Sequence, residues 1–69
     1  MKKLYELPQG QGVKIYTDSH IIIFSHMDGF YSYCWLDGDK SLIVHLKATT
    51  PLEEYKDGYR IVEEVADAN

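Results

Sequence analysis

Residues 20–47, HIIIFSHMDGFYSYCWLDGDKSLIVHLK, decide the fold of this chain. Runs rich in β-branched and aromatic residues are separated here by Asp-Gly dipeptides at 28–29 and 37–38, and a third such dipeptide follows at 57–58. Asp-Gly is the strongest short signal for a β-hairpin, because a type I′ turn needs positive φ angles that these residues adopt with little strain. The spacing therefore predicts a β-meander that reverses at each dipeptide.

Size and composition indicate one small globular domain spanning 1–69. The chain has 69 residues, 45% hydrophobic and 13% aromatic, which is too apolar for a disordered chain. The single cysteine, Cys34, cannot form an internal disulfide, so we expect a reducing compartment, the cytoplasm. The net charge of −4 argues against a nucleic-acid partner, and the longest apolar run, 21–24, is too short for a membrane span.

The rest of the chain extends the same pattern. Residues 1–12 predict an irregular lead that contains a short turn or 3₁₀ piece, with Leu4 and Leu7 covering the core. Pro51 breaks the ladder before a last hairpin, and 64–69 form a frayed acidic tail. The predicted class is all-β, an antiparallel meander of five to six strands with little or no helix, and its strands fall at 13–17, 20–27, 30–36, 40–47, 52–56 and 59–63.

Register assigns the side chains to two faces. A two-residue loop at 28–29 places Phe24 opposite Tyr33, and directly opposed residues share a face. Loops with an even number of residues at the other reversals extend this face across the strands. The predicted core face consists of Val13, Ile15, Ile22, Phe24, His26, Tyr31, Tyr33, Trp35, Leu42, Val44 and Leu46.

The second face is too apolar for an ordinary solvated surface. Burying one large apolar side chain is worth about 1.5–3 kcal/mol, so we expect a cover over this face. The chain's own termini, a second copy and a different partner are the three candidates. The predicted binding surface on this face consists of Tyr16, Ile21, Ile23, Phe30, Ile43 and His45.

The stretch LPQGQGVKIY at 7–16 resembles the first strand of SH3-like barrels. The break at Thr50 and Pro51, before a short final segment, is similar to the 3₁₀ connection of those barrels. The resemblance implies a small SH3-like barrel and a binding module that uses aromatic side chains near its loops. No site residue is carried over from it, because the aromatic and proline positions of peptide-binding SH3 domains are not matched one by one.

Side chains with chemical potential favour structural interpretations. Cys34 and His45 fall on the second face of adjacent strands, which is the minimum for covalent catalysis. A cysteine in mid-strand is more typical of a packed apolar side chain, and no helix N-terminus is present to lower its pKa. The three histidines and Cys34 lack the spacing of a zinc site, so we expect no metal and no cofactor.

Two further patterns have alternative interpretations. Tyr31, Tyr33 and Trp35 have the spacing of a base-stacking platform, but the register assigns them to the core. Acidic residues cluster in the last third of the chain, which is typical of a solvated edge and also of a surface that mimics nucleic acid.

These observations predict a non-enzymatic protein-binding module, an accessory or regulatory protein that acts through its apolar sheet face. A second copy of the chain is included among its expected partners. One alternative is a small-molecule or nucleotide binder with a pocket lined by tyrosine and histidine. The other is an acidic inhibitor that mimics nucleic acid.

Overall fold

A computed structural model describes residues 1–62 of the chain, and the predicted tail at 64–69 lies outside these residues. The prediction of an all-β chain with little helix is confirmed. Within the described residues, no helix has the length and apolar character needed to cross a membrane. The elements are β1 Lys2–Lys3, the 3₁₀ helix η1 Leu4–Glu6, β2 Val13–Tyr16, β3 Ile21–Asp28, β4 Tyr31–Leu36, β5 Asp39–Val44, β6 Pro51–Tyr55 and β7 Gly58–Ile61.

The seven strands form one mixed sheet in the order β1-β6-β7-β2-β3-β4-β5. All neighbours are antiparallel except β2 and β7, which run parallel with Ile15 opposite Tyr59 and Tyr16 opposite Arg60. The predicted antiparallel meander of five to six strands is therefore corrected, because the last strand inserts between β6 and β2. The strands do not close into a barrel, since β1 and β5 are edges, and the resemblance to SH3-like barrels stays a prediction.

The N-terminal lead is more regular than predicted. β1 pairs with β6, and η1 provides the predicted 3₁₀ piece. The N–H of Leu4 donates to the carbonyl of Thr50 at 3.0 Å, which fixes the lead against the segment before β6. Leu4 and Leu7 are both buried in the core, as predicted.

The first two Asp-Gly dipeptides mark reversals, but only one fills the loop as predicted. At 37–38 the dipeptide is the two-residue loop, and Gly38 has a φ angle of 90°. At the first reversal Asp28 pairs with Tyr31, so the loop is Gly29-Phe30. Gly29 has a φ angle of 69°, which matches the preference of type II′ turns for glycine at the first central position.

The third dipeptide serves a different purpose. Tyr55 pairs with Gly58, so the loop is Lys56-Asp57 and the glycine begins β7. A Cβ atom at Gly58 would lie 2.3 Å from the carbonyl oxygen of Lys14. Gly58 therefore permits the close approach of β7 to β2, and this approach is what makes the parallel pair possible.

A bulge at Ser25 reverses the predicted sidedness of β4. His26 pairs with Tyr33, but Phe24 pairs with Cys34, so Ser25 is an extra residue in β3. One extra residue turns every following side chain to the other face. The expectation that Tyr31, Tyr33 and His26 belong to the core is therefore wrong, because all three side chains are exposed.

A second irregularity restores the parity in β5. Leu36 pairs with Asp39 but Trp35 pairs with Ile43, so residues 40–42 are extra on β5. An odd number of extra residues exchanges the two faces of a strand, so the exchange in β5 cancels the exchange caused by Ser25. Val44 and Leu46 consequently pack against the core as predicted, whereas Leu42, 51% exposed, does not.

The core lies on one side of the curled sheet. Its centre is Phe24, fully buried beside Ile15 and Cys34. Val13, Ile15, Ile22 and Phe24 take their predicted places, while Trp35 faces away with Ile23 and Ile43. The buried cluster comprises Leu4, Leu7, Ile15, Ile22, Phe24, Cys34 and Leu52.

Candidate binding surface

The outer face, the side of the sheet opposite the core, includes two rows of directly opposed residues. Both rows cross four neighbouring strands, so residues far apart in sequence become neighbours on the surface. One row is polar and aromatic and the other is mainly apolar. The first row is Glu53, Arg60, Tyr16 and Ile21, and the second is Lys14, Ile23, Trp35 and Ile43.

At the β3–β5 end, the outer face presents what we call the aromatic patch, composed of His26, Phe30, Tyr31, Tyr33, Ile43 and His45. The His26 ring stacks on the Tyr33 ring with centroids 5.3 Å apart and planes 11° apart. The His45 ring meets Tyr33 edge-on at 5.9 Å, and Phe30 meets Tyr31 in the same manner at 5.5 Å. The patch is thus a preorganised surface of packed rings.

Local hydrogen bonds hold the histidines of the patch. His45 Nδ1 donates to the carbonyl oxygen of Ser32 at 2.8 Å, which leaves Nε2 directed away from this bond. His26 Nδ1 lies 2.9 Å from the hydroxyl of Ser25, the bulge residue. Hydrogen bonding to residues of β3 and β4 therefore orients the His26 and His45 rings.

The structure divides the predicted binding residues between two regions. Phe30, Ile43 and His45 belong to the aromatic patch, and Phe30 and Ile43 are 55% and 38% exposed. Tyr16 and Ile21 lie at the opposite end of the outer face. Ile23 stands between the two regions and is only 9% exposed, so it supports the surface more than it contributes to it.

An open groove of about 900 Å³ occupies that opposite end, and we call it the tyrosine groove. The Tyr16 and Tyr55 rings meet edge-on in it, with centroids 5.1 Å apart. The sequence suggested a pocket lined by tyrosine and histidine but not its position, because the pairing of β7 with β2 is not readable from local patterns. The lining residues are Tyr16, Thr17, Asp18, Ser19, His20, Ile21, Glu53, Tyr55, Lys56, Arg60, Ile61 and Val62.

Asp57 links β2 to the β6–β7 turn beside this groove. Its carboxylate lies 3.1 Å from the ammonium of Lys14 and accepts a hydrogen bond from the hydroxyl of Tyr16. The bond from Tyr16, followed by that from Lys14, lowers the pKa of Asp57. The same contacts raise the pKa of Tyr16 and of Lys14. The linkage thus fixes the position of the Tyr16 ring.

Cys34 is a packed core residue and does not meet His45. Its side chain is fully buried, whereas His45 lies exposed on the outer face, so the predicted shared face is wrong. Burial raises the pKa of the Cys34 thiol, although the nearby Ser32 hydroxyl and the backbone of Ser25 lower it in part. A buried neutral thiol is a poor nucleophile. The arrangement offers no Cys-His pair for covalent chemistry.

Metal-binding and nucleic-acid-mimicking arrangements find little support in residues 1–62. Within that part of the chain, no three His, Cys, Asp or Glu side chains are placed to hold a metal ion. Glu53 forms an ion pair with Arg60, and Asp57 pairs with Lys14. The acidic cluster is therefore partly neutralised where it is described, and its members at 63–69 lie outside that part.

Comparison with known proteins adds no assignment: no family model, curated protein or solved structure matches this chain.

Proposed function

We propose, from the geometry alone, that this chain is a non-enzymatic protein-binding module of the cytoplasm whose partner is a second copy of itself. The observation that carries the proposal is the continuity of the aromatic patch with β5, an open edge of the sheet. The patch supplies apolar side chains beside the edge, and the edge supplies backbone hydrogen bonds.

The exposed side chains favour an interface. Tyr31 is 46% exposed and Tyr33 is 36% exposed. Burial of either ring against a partner would remove apolar surface from water and so stabilise a complex. Tyrosine is enriched at the energetic centres of interfaces, since its ring offers a large area with few rotatable bonds. Leu42, 51% exposed on β5, extends the apolar surface to the edge itself.

The two sheet edges differ in their readiness to accept a strand. β1 has two residues, both lysines, and short charged edges resist pairing. β5 has six residues and, among residues 1–62, pairs only with β4, in a ladder that is interrupted at 40–42. The backbone groups along its other side are therefore not used by the described sheet. A partner strand is therefore best added at β5, beside the patch.

A second copy fits this edge because antiparallel pairing of β5 with itself is two-fold symmetric. With Leu42 on the axis, the leucines of the two copies meet. The same register places Asp39 opposite His45 twice, once on each side of the axis. In this pairing the carboxylate of Asp39 lies beside the imidazole of His45 from the other copy. The two sheets then form one continuous sheet.

Sedimentation equilibrium from about 10 μM to about 1 mM tests the proposal. The parent chain should associate into a dimer, and Ile43→Asp should dissociate it, because a carboxylate would be buried at the interface. Gln11→Asp adds the same charge on the exposed loop before β2 and should leave the dimer intact.

A parent chain that stays monomeric at about 1 mM would refute the proposal. So would an Ile43→Asp variant that associates as well as Gln11→Asp. Folding of each variant is read from the Trp35 fluorescence spectrum, so loss of the dimer can be separated from loss of the fold.

A further inference from the structure

The tyrosine groove is distinct from the aromatic patch, and its walls differ in charge. On one side, the β6–β7 hairpin contributes Lys56 and Arg60. On the other side, the β2–β3 turn contributes Asp18, Ser19 and His20. Tyr16 and Tyr55 lie between the two walls. A volume of about 900 Å³ is within the range of small-molecule sites.

Lys56 is a cation held in place without a counter-ion among residues 1–62. Its ammonium lies 5.3 Å from the centroid of Tyr55 and 5.7 Å from that of Tyr16. The two ion pairs of this region use Lys14 and Arg60 instead. A cation oriented by two aromatic rings is already placed for an anionic group, so binding would cost little side-chain ordering.

Arg60 strengthens the same site. Its guanidinium lies 5.3 Å from the centroid of Tyr55, so two cations approach one ring. Glu53 engages one side of this guanidinium, and an arginine carries five N–H donors, so donors remain for a ligand. Both cations therefore lie beside the Tyr55 ring, where an anionic group would be attracted.

The opposite wall suits a polar ring edge. The carboxylate of Asp18 accepts hydrogen bonds, and the hydroxyl of Ser19 lies 2.6 Å from His20 Nδ1 in a preformed pair. Amino groups and ring nitrogens of a nucleobase would find acceptors and donors there. The base plane can stack on only one of the two tyrosine rings, because their planes lie 72° apart. Tyr16 is the better platform, since Lys56 and Arg60 both approach the Tyr55 ring.

We propose that the tyrosine groove binds a nucleoside monophosphate. Its phosphate contacts Lys56 and Arg60, its base packs on Tyr16, and the base edge faces the wall that contains Asp18. This site is independent of the self-association through β5, and either can fail without the other.

Amide NMR titration with AMP tests the site, with adenosine and inorganic phosphate as separate arms. AMP should shift the amide signals of 16–20 and 53–62. Adenosine and inorganic phosphate should each bind at least about tenfold more weakly than AMP. Lys56→Gln should weaken AMP binding about tenfold, because it removes a charge-assisted bond. Lys47→Gln removes the same charge outside the groove and should leave AMP affinity unchanged.

Three results would overturn the inference. One is the absence of shifts in the groove at about 10 mM AMP. Another is phosphate binding as tight as AMP binding, which would indicate a simple anion site. The third is equal AMP affinity in the Lys56→Gln and Lys47→Gln variants. The same spectra report whether each variant is folded.

Discussion

Replacement of Gly58 by alanine should remove a large part of the stability of this protein. Gly58 begins β7, where an added Cβ atom would lie 2.3 Å from the carbonyl oxygen of Lys14 and 3.0 Å from the carbonyl carbon. These are backbone atoms of β2, a strand paired on both sides, and they cannot rotate away as the end of a side chain can. The two strands must therefore separate.

The cost follows from two effects. Overpacking of a close-fitted region costs about 1–3 kcal/mol. Separation of the strands also weakens the parallel ladder, in which each hydrogen bond contributes about 1 kcal/mol. We expect a loss of about 3 kcal/mol in the free energy of unfolding. A chain of this size has on the order of 3–10 kcal/mol in total, so the variant should be close to unfolding.

Urea unfolding followed by Trp35 fluorescence measures the loss, with Gly38→Ala as the matched control. A Cβ atom at Gly38 would meet nothing within 4 Å, so that variant has only the strain of a φ angle of 90°. This strain is worth about 1–2 kcal/mol. If Gly58→Ala proves no less stable than Gly38→Ala, close strand approach is not the reason for glycine at this position.

Two further predictions concern buried and surface hydrogen bonds. Ser32→Ala should cost about 1–3 kcal/mol in urea unfolding, because the hydroxyl of Ser32 is buried and accepts the N–H of Leu46 at 3.0 Å; a variant as stable as the parent would contradict this. Asp57→Asn should reduce stability at neutral pH, and the difference should shrink as pH falls. The folded-state pKa of Asp57 is lowered, so its stabilisation is present above the unfolded value of 3.8 and is lost below the folded one. A difference in Tm that stays constant from pH 7 to about pH 2 would contradict the role given to its carboxylate.

Local sequence signals predicted the type and approximate position of most strands. Alternating apolar residues at 13–16 and runs rich in β-branched residues at 21–24 and 42–44 indicate strands, because these side chains suit a pleated, half-buried surface. Leu4 and Leu7 were correctly assigned to the core. These signals are local. They specify neither the register of a loop nor which strands that are distant in sequence become neighbours in the sheet.

Sidedness could not be predicted beyond the first bulge. Ser25 has no distinguishing neighbours, and a serine in a strand is compatible with both regular and bulged pairing. The bulge is defined by the pairing of β3 with β4, so it is visible only once the two strands are paired. His26, Tyr31 and Tyr33 of the aromatic patch were therefore assigned to the core in error.

The position of β7 and the tyrosine groove depend on a contact of the same kind. In the sequence, Gly58 resembles the second residue of a turn. In the structure, it lies against the backbone of Lys14, where a Cβ atom would not fit. The alternation of side chains between the two faces also cannot indicate that β7 pairs with β2. The Tyr16, Tyr55 and Arg60 side chains meet only because of that pairing.

The insertion of β7 between β6 and β2 has a consequence for the order in which the sheet assembles. β2 to β5 are neighbours in both sequence and sheet, so they can pair through local hairpins. β6 is joined to these strands through β7, and β1 is joined through β6, so both depend on the long-range parallel pairing of β7 with β2. We therefore expect Leu4, Leu7 and Leu52 to cover the interior only after that parallel pair has formed.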